Sequence, residues 1–302
     1  NIEDSSLPDK CSHGEKGCTS CTRACPRFRD WEIDADAHLF GKIRTENEVY
    51  GQYESICLTR ATDETIAELG QDGGLVSAML IYALENEIIE GALVSSADDQ
   101  WVATPTLATT REEVLSTAGS RYTYSANTLA YNLADERGLE KLALVGMGCM
   151  ASAPAIMKSR KVGKIARRLE LTIGLMCTKT FTDSIFEDLI KAKYGIERKD
   201  IIKFNIKGRF HIWATNDRYV EIPLKECREF TRPGCQQCPD FAAEHADIST
   251  GGIVNHEGWT LTVIRTARGK ELFNSMVEQG WLKTKSIEED LSAMDLLIKL
   301  IT

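Results

Sequence analysis

Segments with the pattern of β-strands alternate with helical segments from residue 53 to about residue 200. YESICLTRA, EGALVSSAD and TPTLATT are strand-like, and LEKLALVGMGC and LTIGLMC are two further strands of almost continuous apolar residues. Helical patterns stand between them, including two stretches separated by the glycines at 70–74. This alternation predicts an α/β domain, because strands and amphipathic helices that alternate along a chain form a mostly parallel sheet covered by helices.

The segments before residue 53 and after about residue 200 have other patterns. DIIKFNIKGRFHIWATNDRYVEIPL alternates apolar and polar residues, which predicts antiparallel strands with TNDR as a turn. WTLTVIRT predicts a strand, and ARGKELFNSMVEQGW predicts an amphipathic helix. The first 50 residues are polar and rich in cysteine and turn-forming residues, so they predict a small segment with little core of its own. We therefore expect a mixed α/β and α+β fold with two domains, 1–50 and 51–302.

Ten cysteines in 302 residues are the second constraint. Four of them stand near the N-terminus with six, two and three residues between them, followed by a proline: Cys11, Cys18, Cys21, Cys25 and Pro26. The end of this run has the spacing of a bacterial ferredoxin and predicts a [4Fe-4S] cluster. The six-residue gap departs from that pattern. Because four thiolates also suit zinc, a zinc site is the alternative.

A second set of cysteines is dispersed along the chain: Cys149, Cys177, Cys235 and Cys238. Cys149 and Cys177 each end an apolar strand, and ligands of α/β proteins gather at the carboxyl ends of parallel strands. The Cys-x-x-Cys pair would complete a four-cysteine site, although a lone buried cysteine is more often a core residue. We expect Cys57 and Cys227 to be core or surface thiols. The alternative for Cys227 is that it replaces one of the four cysteines as a metal ligand.

Three donor-rich segments could hold a phosphate group. They are Gln71, Asp72, Gly73 and Gly74 before an apolar helix; Ser120, Arg121, Thr123, Ser125 and Asn127; and Ser249, Thr250 and Gly251 in DISTGG. Glycines let the backbone approach a phosphate, and a helix N-terminus favours anions. Each segment alone is equally consistent with a polar turn or a helix cap. Together, and beside cysteine ligands, they favour a bound nucleotide or flavin.

Charge and hydropathy exclude other classes of protein. The net charge of −9 argues against a general nucleic-acid binder. No run of 18 apolar residues occurs, so we expect no membrane span. The sequence shows no secretory signal and its cysteines cluster as Cys-x-x-Cys, which favours a reducing, cytoplasmic compartment and metal ligation over disulfides.

These motifs resemble a known family. LGQDGGLVSAML, AGSRYTYSAN, VGMGCM, GLMCTKTF, IKGRF, PLKECREFTRPGCQQCPDFAAEHADISTGG and GWTLTVIRT are similar to the coenzyme F420-reducing hydrogenase beta-subunit family, from about residue 53 to the C-terminus. The N-terminal segment resembles the ferredoxin-type extension of F420H2 dehydrogenase input subunits, which usually carry two such motifs where this chain has one. The resemblance implies non-covalent FAD at the QDGG, GSRYTYSAN and STGG positions. It also implies a [4Fe-4S] cluster on the second cysteine set.

The function that the resemblance implies is an oxidoreductase. It would pass a hydride between coenzyme F420, as substrate, and FAD, and single electrons through two [4Fe-4S] clusters to ferredoxin or a partner subunit in a complex. No catalytic side chain is expected, since cofactors carry this chemistry. Lys207 and Arg209, in IKGRF, are candidates to meet the anionic tail of F420, with solvated strand charges as the equal alternative. Two other functions stay open: a ferredoxin-dependent tetrapyrrole reductase of the same fold family, and a zinc-stabilised, non-enzymatic binding module.

Overall fold

The computed structural model describes residues 19–24, 31–253 and 255–287, without the side chains of residues 21, 22 and 164. Within these ranges, eleven strands form two sheets. The strands are β1 (Ser55–Ala61), β2 (Gly91–Ala97), β3 (Ala103–Ala108), β4 (Leu142–Met147), β5 (Leu169–Leu175), β6 (Ile201–Ile206), β7 (Arg209–Ala214), β8 (Arg218–Pro223), β9 (Ile248–Gly252), β10 (Thr260–Ile264) and β11 (Leu282–Ser286). The α-helices are α1 (Ser20–Ala24), α2 (Trp31–Phe40), α3 (Glu64–Leu69), α4 (Leu75–Glu85), α5 (Arg111–Ser116), α6 (Tyr131–Glu136), α7 (Gly148–Ser159), α8 (Gly163–Ala166), α9 (Ala192–Tyr194) and α10 (Ala267–Glu278).

The larger sheet has eight strands in the order β11-β1-β10-β9-β5-β4-β2-β3. Its four central strands, β2, β4, β5 and β9, are parallel, and the outer pairs are antiparallel. The predicted mixed α/β architecture is therefore confirmed. No helix in the described ranges is both long and apolar enough to cross a membrane.

Local signals in the sequence place several helices correctly. Asp63 accepts a hydrogen bond from the backbone N–H of Ile66 at the start of α3, and Thr110 does the same for Glu113 at the start of α5. The glycines at 70–74 separate α3 from α4, as expected. Helix α4 is buried along most of its length and packs in the main core. Ile185–Lys191 forms a π-helix.

The antiparallel segment predicted over 201–223 is confirmed as a three-stranded sheet, β6-β7-β8. Asn216 and Asp217 have φ angles of +59° and +54° in the β7–β8 turn, and this pair of positive angles suits a tight hairpin. Phe204 and Phe210 lie on the buried face of the sheet, with ring centroids 5.3 Å apart. Tyr122 packs edge-on against Phe210, so this sheet is joined to the donor-rich segment at 118–127.

DISTGG, for which a polar turn was one of two interpretations, forms a strand instead. Its residues form β9, which lies between β5 and β10 inside the large sheet. Ser249 and Thr250 are almost fully buried there. Two flanking strands satisfy the backbone of β9, and this outweighs the local turn preference of its glycines and hydroxyl residues.

Helix α2, from the N-terminal segment, packs against α7. Ala35 lies in a small apolar cluster with Ala155 and Ile156. At the other end of this contact, Arg160 donates hydrogen bonds to the carbonyl of Arg23 and the carboxylate of Asp34, at 3.0 and 3.1 Å. The described part of residues 1–50 is thus docked on the larger domain, and the boundary at residue 50 stays a prediction.

Buried charges fix α2 in place. Arg44 donates from Nε and Nη2 to the two carboxylate oxygens of Asp36, at 2.7 and 2.8 Å, and also contacts Glu244. His245 Nε2 lies 2.9 Å from Asp36 Oδ1 and 3.0 Å from Arg44 Nη2. We call Asp36, Arg44, Glu244 and His245 the ionic network.

Replacing Asp36 by Asn tests the pH dependence of this network. Burial opposes the ionisation of Asp36, but hydrogen bonds from Arg44 and His245 outweigh it and hold the pKa well below the ordinary value of 3.8. Because the folded-state pKa is lowered, the stabilisation is complete above the unfolded-state pKa and is lost as the pH falls toward the folded-state pKa.

We expect Asp36→Asn to lower the free energy of unfolding by about 3 kcal/mol near neutral pH. Urea unfolding curves recorded at falling pH should show the difference from the parent protein shrinking once the pH is below about 4. A difference that stays constant over this range would contradict the assignment of an ionised, paired Asp36.

Candidate functional site

Two cysteines lie where the pattern of apolar strands predicts. Strands β4 and β5 are parallel neighbours, with Met147 opposite Leu175. Cys149 stands in the first turn of α7, directly after β4, and Cys177 follows β5 by two residues. The backbone N–H of Cys177 donates to the carbonyl of Phe241 at 2.9 Å. Both cysteines therefore come to the carboxyl edge of the central strands.

The Cys-x-x-Cys pair is joined to the same edge. Cys235 lies in the 3-10 helix Pro233–Gln237, and its sulfur is 3.4 Å from the backbone nitrogen of Thr180 and 3.5 Å from the Thr180 hydroxyl. The sulfur of Cys238 is 3.8 Å from the carbonyl oxygen of Asp240. Cys235 is thus held beside the segment that follows Cys177.

Electrostatic coupling shows that the second set is gathered in one place. Burial and the neighbouring Cys149, Cys235 and Cys238 together raise the pKa of Cys177 to about 12. Burial, followed by Cys238 and Cys235, raises the pKa of Cys149 to about 11. Cys149 and Cys177 are therefore uncharged thiols in the absence of a cation, and a bound metal centre would reverse that preference.

Among the described residues, no group of three or more His, Cys, Asp or Glu side chains is arranged to hold a metal ion.

The other predicted cysteines divide into two groups. Cys57 pairs with Thr262 and Ser286 in the middle of β1, away from the second set. Cys227 is buried in the apolar core under β6–β8, with its sulfur 3.9 Å from the carbonyl of Pro223. Both are core thiols, as the simpler interpretation expected. Of the first set, Cys11, Cys18, Cys25 and the side chain of Cys21 lie outside the described residues.

The QDGG loop has an unusual backbone before α4. Asp72, Gly73 and Gly74 have φ angles of +48°, +93° and +74°. A Cβ atom on Gly73 would lie 2.5 Å from the carbonyl oxygen of Gly258, and one on Gly74 would lie 2.3 Å from that of Ile66. Only glycine fits these two positions, which lie directly before the N-terminus of α4.

Asp72 links the QDGG loop to two other predicted segments. Its carboxylate lies 2.7 Å from Lys207 Nζ, with both side chains largely buried, and it stands so close to Gly252 that a Cβ there would be 2.5 Å from Oδ2. Lys207 is therefore not a solvated strand charge. Arg209 is one, because it pairs at 3.2 Å with Glu221 and is half exposed.

The segment at 118–127 contains one half-buried cation, Arg121, for which no carboxylate partner is found among the described residues. Arg121 donates from Nη1 to the carbonyls of Thr117 and Gly119, at 2.5 and 2.8 Å, while its buried Nε has no hydrogen-bond partner. Burial lowers the pKa of Arg121 to about 10. An unpaired N–H on a buried guanidinium is the kind of donor that an anionic ligand satisfies.

Several predicted ligand side chains are already hydrogen-bonded within the protein. Ser125 donates to Asn127, which donates to the carbonyl of Val145 at 2.7 Å. Ser249 donates to the carbonyl of Ala243, and Thr250 donates to that of Gly174. These four side chains hold the fold together, whereas Ser120, Arg121 and Thr123 stay partly accessible.

Tyr122 connects the two parts of the site, and the sequence analysis did not single it out. Its hydroxyl accepts a hydrogen bond from the backbone N–H of Ile206 at 3.0 Å. Burial raises the pKa of Tyr122 to about 12, and the nearby charges of Asp72 and Cys177 contribute to this rise. The phenol therefore lies between the QDGG loop and the second cysteine set. The sequence around Tyr122 contains no pattern that predicts this position.

A basic surface pocket of about 330 Å³ opens beside Cys235. The lining residues are Thr178, Lys179, Arg228, Thr231, Cys235 and Gln236. Two of these six are cationic and none is acidic, in a chain whose net charge is −9. The surface next to the cysteine set is thus suited to a group of negative charge.

Two family models match this chain. The model for the N-terminal part of the coenzyme F420 hydrogenase/dehydrogenase beta subunit matches residues 56–131, and the model for the C terminus of that subunit matches residues 139–290. The chain belongs to the coenzyme F420 hydrogenase/dehydrogenase beta-subunit family. The resemblance inferred from the motifs is confirmed, and the matched ranges contain every donor-rich segment and the second cysteine set. The first cysteine set lies outside both ranges.

Individual relatives in the family agree with this assignment. The chain is 35% identical over 257 residues to the coenzyme F420 hydrogenase subunit beta of Methanothermobacter thermautotrophicus, a match that covers 83% of this chain and 91% of the relative. It is 32% identical over 297 residues to the coenzyme F420-dependent sulfite reductase of Methanocaldococcus jannaschii, covering 94% of this chain and 44% of that protein. The second match extends into the N-terminal segment.

A solved structure shows the same fold. A chain of the xenon-derivatised F420-reducing [NiFe] hydrogenase complex from Methanosarcina barkeri superposes with a TM-score of 0.80 at 30% identity. The match covers 85% of this chain and 90% of that chain. The fold of this family is therefore shared over most of the described residues.

Replacing Gly74 by Ala tests the geometry of the QDGG loop. We expect Gly74→Ala to lower the free energy of unfolding by at least about 2 kcal/mol, because the new methyl group meets the carbonyl of Ile66. Gly119→Ala is the matched control, since Gly119 also has a positive φ, of +88°, but its nearest neighbour is 3.9 Å from the Cβ position. Equal losses in urea unfolding for the two variants would show that the loop is not tightly packed.

Proposed function

We propose that this chain is an F420-linked oxidoreductase module that carries FAD and a [4Fe-4S] cluster on its described domain. The observation that carries the proposal is that β9 packs against both regions, because Gly252 lies against Asp72 of the QDGG loop and Gly251 lies against Met176, the residue before Cys177. Membership in the family supplies the F420 link, and the site supplies places for a two-electron and a one-electron carrier.

The second cysteine set offers four thiols for a cluster. Cys149, Cys235 and Cys238 lie near enough to Cys177 to raise its pKa. A [4Fe-4S] cluster takes four cysteine thiolates as ligands. Thr180 presents its N–H and hydroxyl to the Cys235 sulfur, and such hydrogen bonds tune the potential of a cluster.

The donor-rich segments support a flavin nucleotide. The unpaired Nε of Arg121 suits a pyrophosphate oxygen, and the N-terminus of α4 with its close-packed glycines favours negative charge. Gly251 packs against Met176 and Gly252 packs against Asp72, so a side chain at either glycine would clash. When bound, FAD would exchange a hydride with F420 and single electrons with an iron–sulfur cluster.

The protein's own residues would orient and shield these groups. Lys207 neutralises Asp72 at the QDGG loop, and we propose that it also meets the anionic tail of F420. Arg209 faces Glu221 on the exposed side of the hairpin and would act only by long-range attraction. The basic pocket beside Cys235 suits an acidic redox partner such as a ferredoxin or a partner subunit. We propose a second [4Fe-4S] cluster on Cys11, Cys18, Cys21 and Cys25.

An iron, zinc and flavin count on one anaerobic sample tests the cofactors. We expect iron, FAD and no stoichiometric zinc, and we expect reduced F420 to bleach the flavin absorbance. Cys235→Ser should remove about half of the iron if each set holds one cluster, whereas Cys57→Ser, the matched control, should remove none. Zinc in place of iron would contradict the cluster assignment, and a flavin that F420 does not reduce would contradict the F420 link.

Arg121→Met tests the flavin site separately. Loss of one charge-assisted hydrogen bond, at about 1.5–3 kcal/mol, should weaken FAD binding by about ten-fold or more. Arg209→Met is the control, since this arginine lies on the exposed face of the hairpin. Titration of the flavin-free proteins with FAD, followed by fluorescence quenching, measures both affinities. Equal affinities would place the pyrophosphate elsewhere.

A further inference from the structure

The ionic network stands directly behind the segment that carries the Cys-x-x-Cys pair. Glu244 and His245 belong to the chain that follows Cys238, and Arg44 contacts both of them from the N-terminal side of the molecule. Asp36 is 1% exposed and His245 is 3% exposed, so these charges are out of the solvent. His245 Nδ1 has no hydrogen-bond partner among the described residues.

From Glu244, the contacts continue to Asp240. The backbone N–H of Glu244 donates to both carboxylate oxygens of Asp240, at 3.2 and 3.3 Å. Asp240 is itself pressed against Gly148, where a Cβ would lie 2.5 Å from the carboxylate. The residue after Gly148 is Cys149.

Residues 240 and 241 thereby contact two of the cysteines and the residue that precedes a third. The side chain of Asp240 packs beside Cys149 through Gly148, and its carbonyl lies 3.8 Å from the sulfur of Cys238. The carbonyl of Phe241 accepts the backbone N–H of Cys177 at 2.9 Å. A shift of residues 240–244 would therefore disturb the positions of Cys149, Cys177 and Cys238.

We infer that Asp36 and Arg44 are positioning residues for the second cysteine set, so that the N-terminal segment is needed for a native metal centre in the larger domain. This inference rests on the proposed cluster. A buried ionic network adds little net stability compared with apolar packing, but it allows a single geometry. Supporting side chains of this kind orient the ligands of a metal site.

The test uses the full chain with Cys21→Ser, so that iron signals come from the second set alone. In this background, Arg44→Gln removes the guanidinium and Arg44→Lys keeps the charge but loses the forked hydrogen bonds. Lys42→Gln is the matched control. Lys42 stands two residues before Arg44, and its side chain is exposed and pairs with Glu48. The measurements are the EPR spectrum of the dithionite-reduced protein, the rate of iron loss to a chelator, and circular dichroism as a check of folding.

We expect Arg44→Gln to fold, to alter the EPR g values and to release iron about ten-fold faster, with Arg44→Lys intermediate and Lys42→Gln unchanged. A folded Arg44→Gln protein with the parent's spectrum and iron-loss rate would overturn the inference alone. If Arg44→Gln does not fold, the EPR spectrum and iron-loss rate of Arg44→Lys are compared with those of the parent protein, and parent values for both would overturn the inference. A parent protein without any cluster signal would overturn the proposed cofactor and this inference together.

Discussion

The arrangement of the site depends on the parallel pairing of β4 with β5. Their register brings both strands to an end at the same level, so the chain delivers Cys149 and Cys177 to one edge. Strand β9 pairs with β5 in the same direction, with Thr250 opposite Leu175. Close packing then completes the edge, because Asp240 fits only against a residue without a side chain at position 148.

Much of this edge could be predicted from the sequence because its signals are local. An uninterrupted apolar strand that ends on a cysteine gives both the strand and its end, as in LALVGMGC and LTIGLMC. The glycines at 73 and 74 mark a break between two helices, and the structure confirms that only glycine fits there. Cys149 and Cys177 could be grouped because parallel neighbours share an edge, which is a property of the topology, whereas Cys235 and Cys238 joined them through the family resemblance.

Other features could not be predicted because they depend on contacts between distant residues. The hydroxyls of Ser249 and Thr250 resemble ligand donors in sequence, but burial inside the sheet commits them to backbone carbonyls. The pairing of Arg44 with Glu244 spans 200 residues and has no periodic signal. Tyr122 has the same character, since its role follows from the sheet β6-β7-β8 folding over the QDGG loop.

Helix α7 sets a fixed distance between Cys149 and the docked part of the N-terminal segment. Its twelve residues span about 18 Å, with Cys149 in the first turn and Arg160, just beyond the last, tied to Arg23 and Asp34. A packed helix is stiff, so this separation does not change with the motion of surface loops. Because the rate of electron tunnelling falls steeply with distance, the rate of transfer from the proposed cluster at Cys149 across α7 would be fixed by the fold rather than by domain encounter.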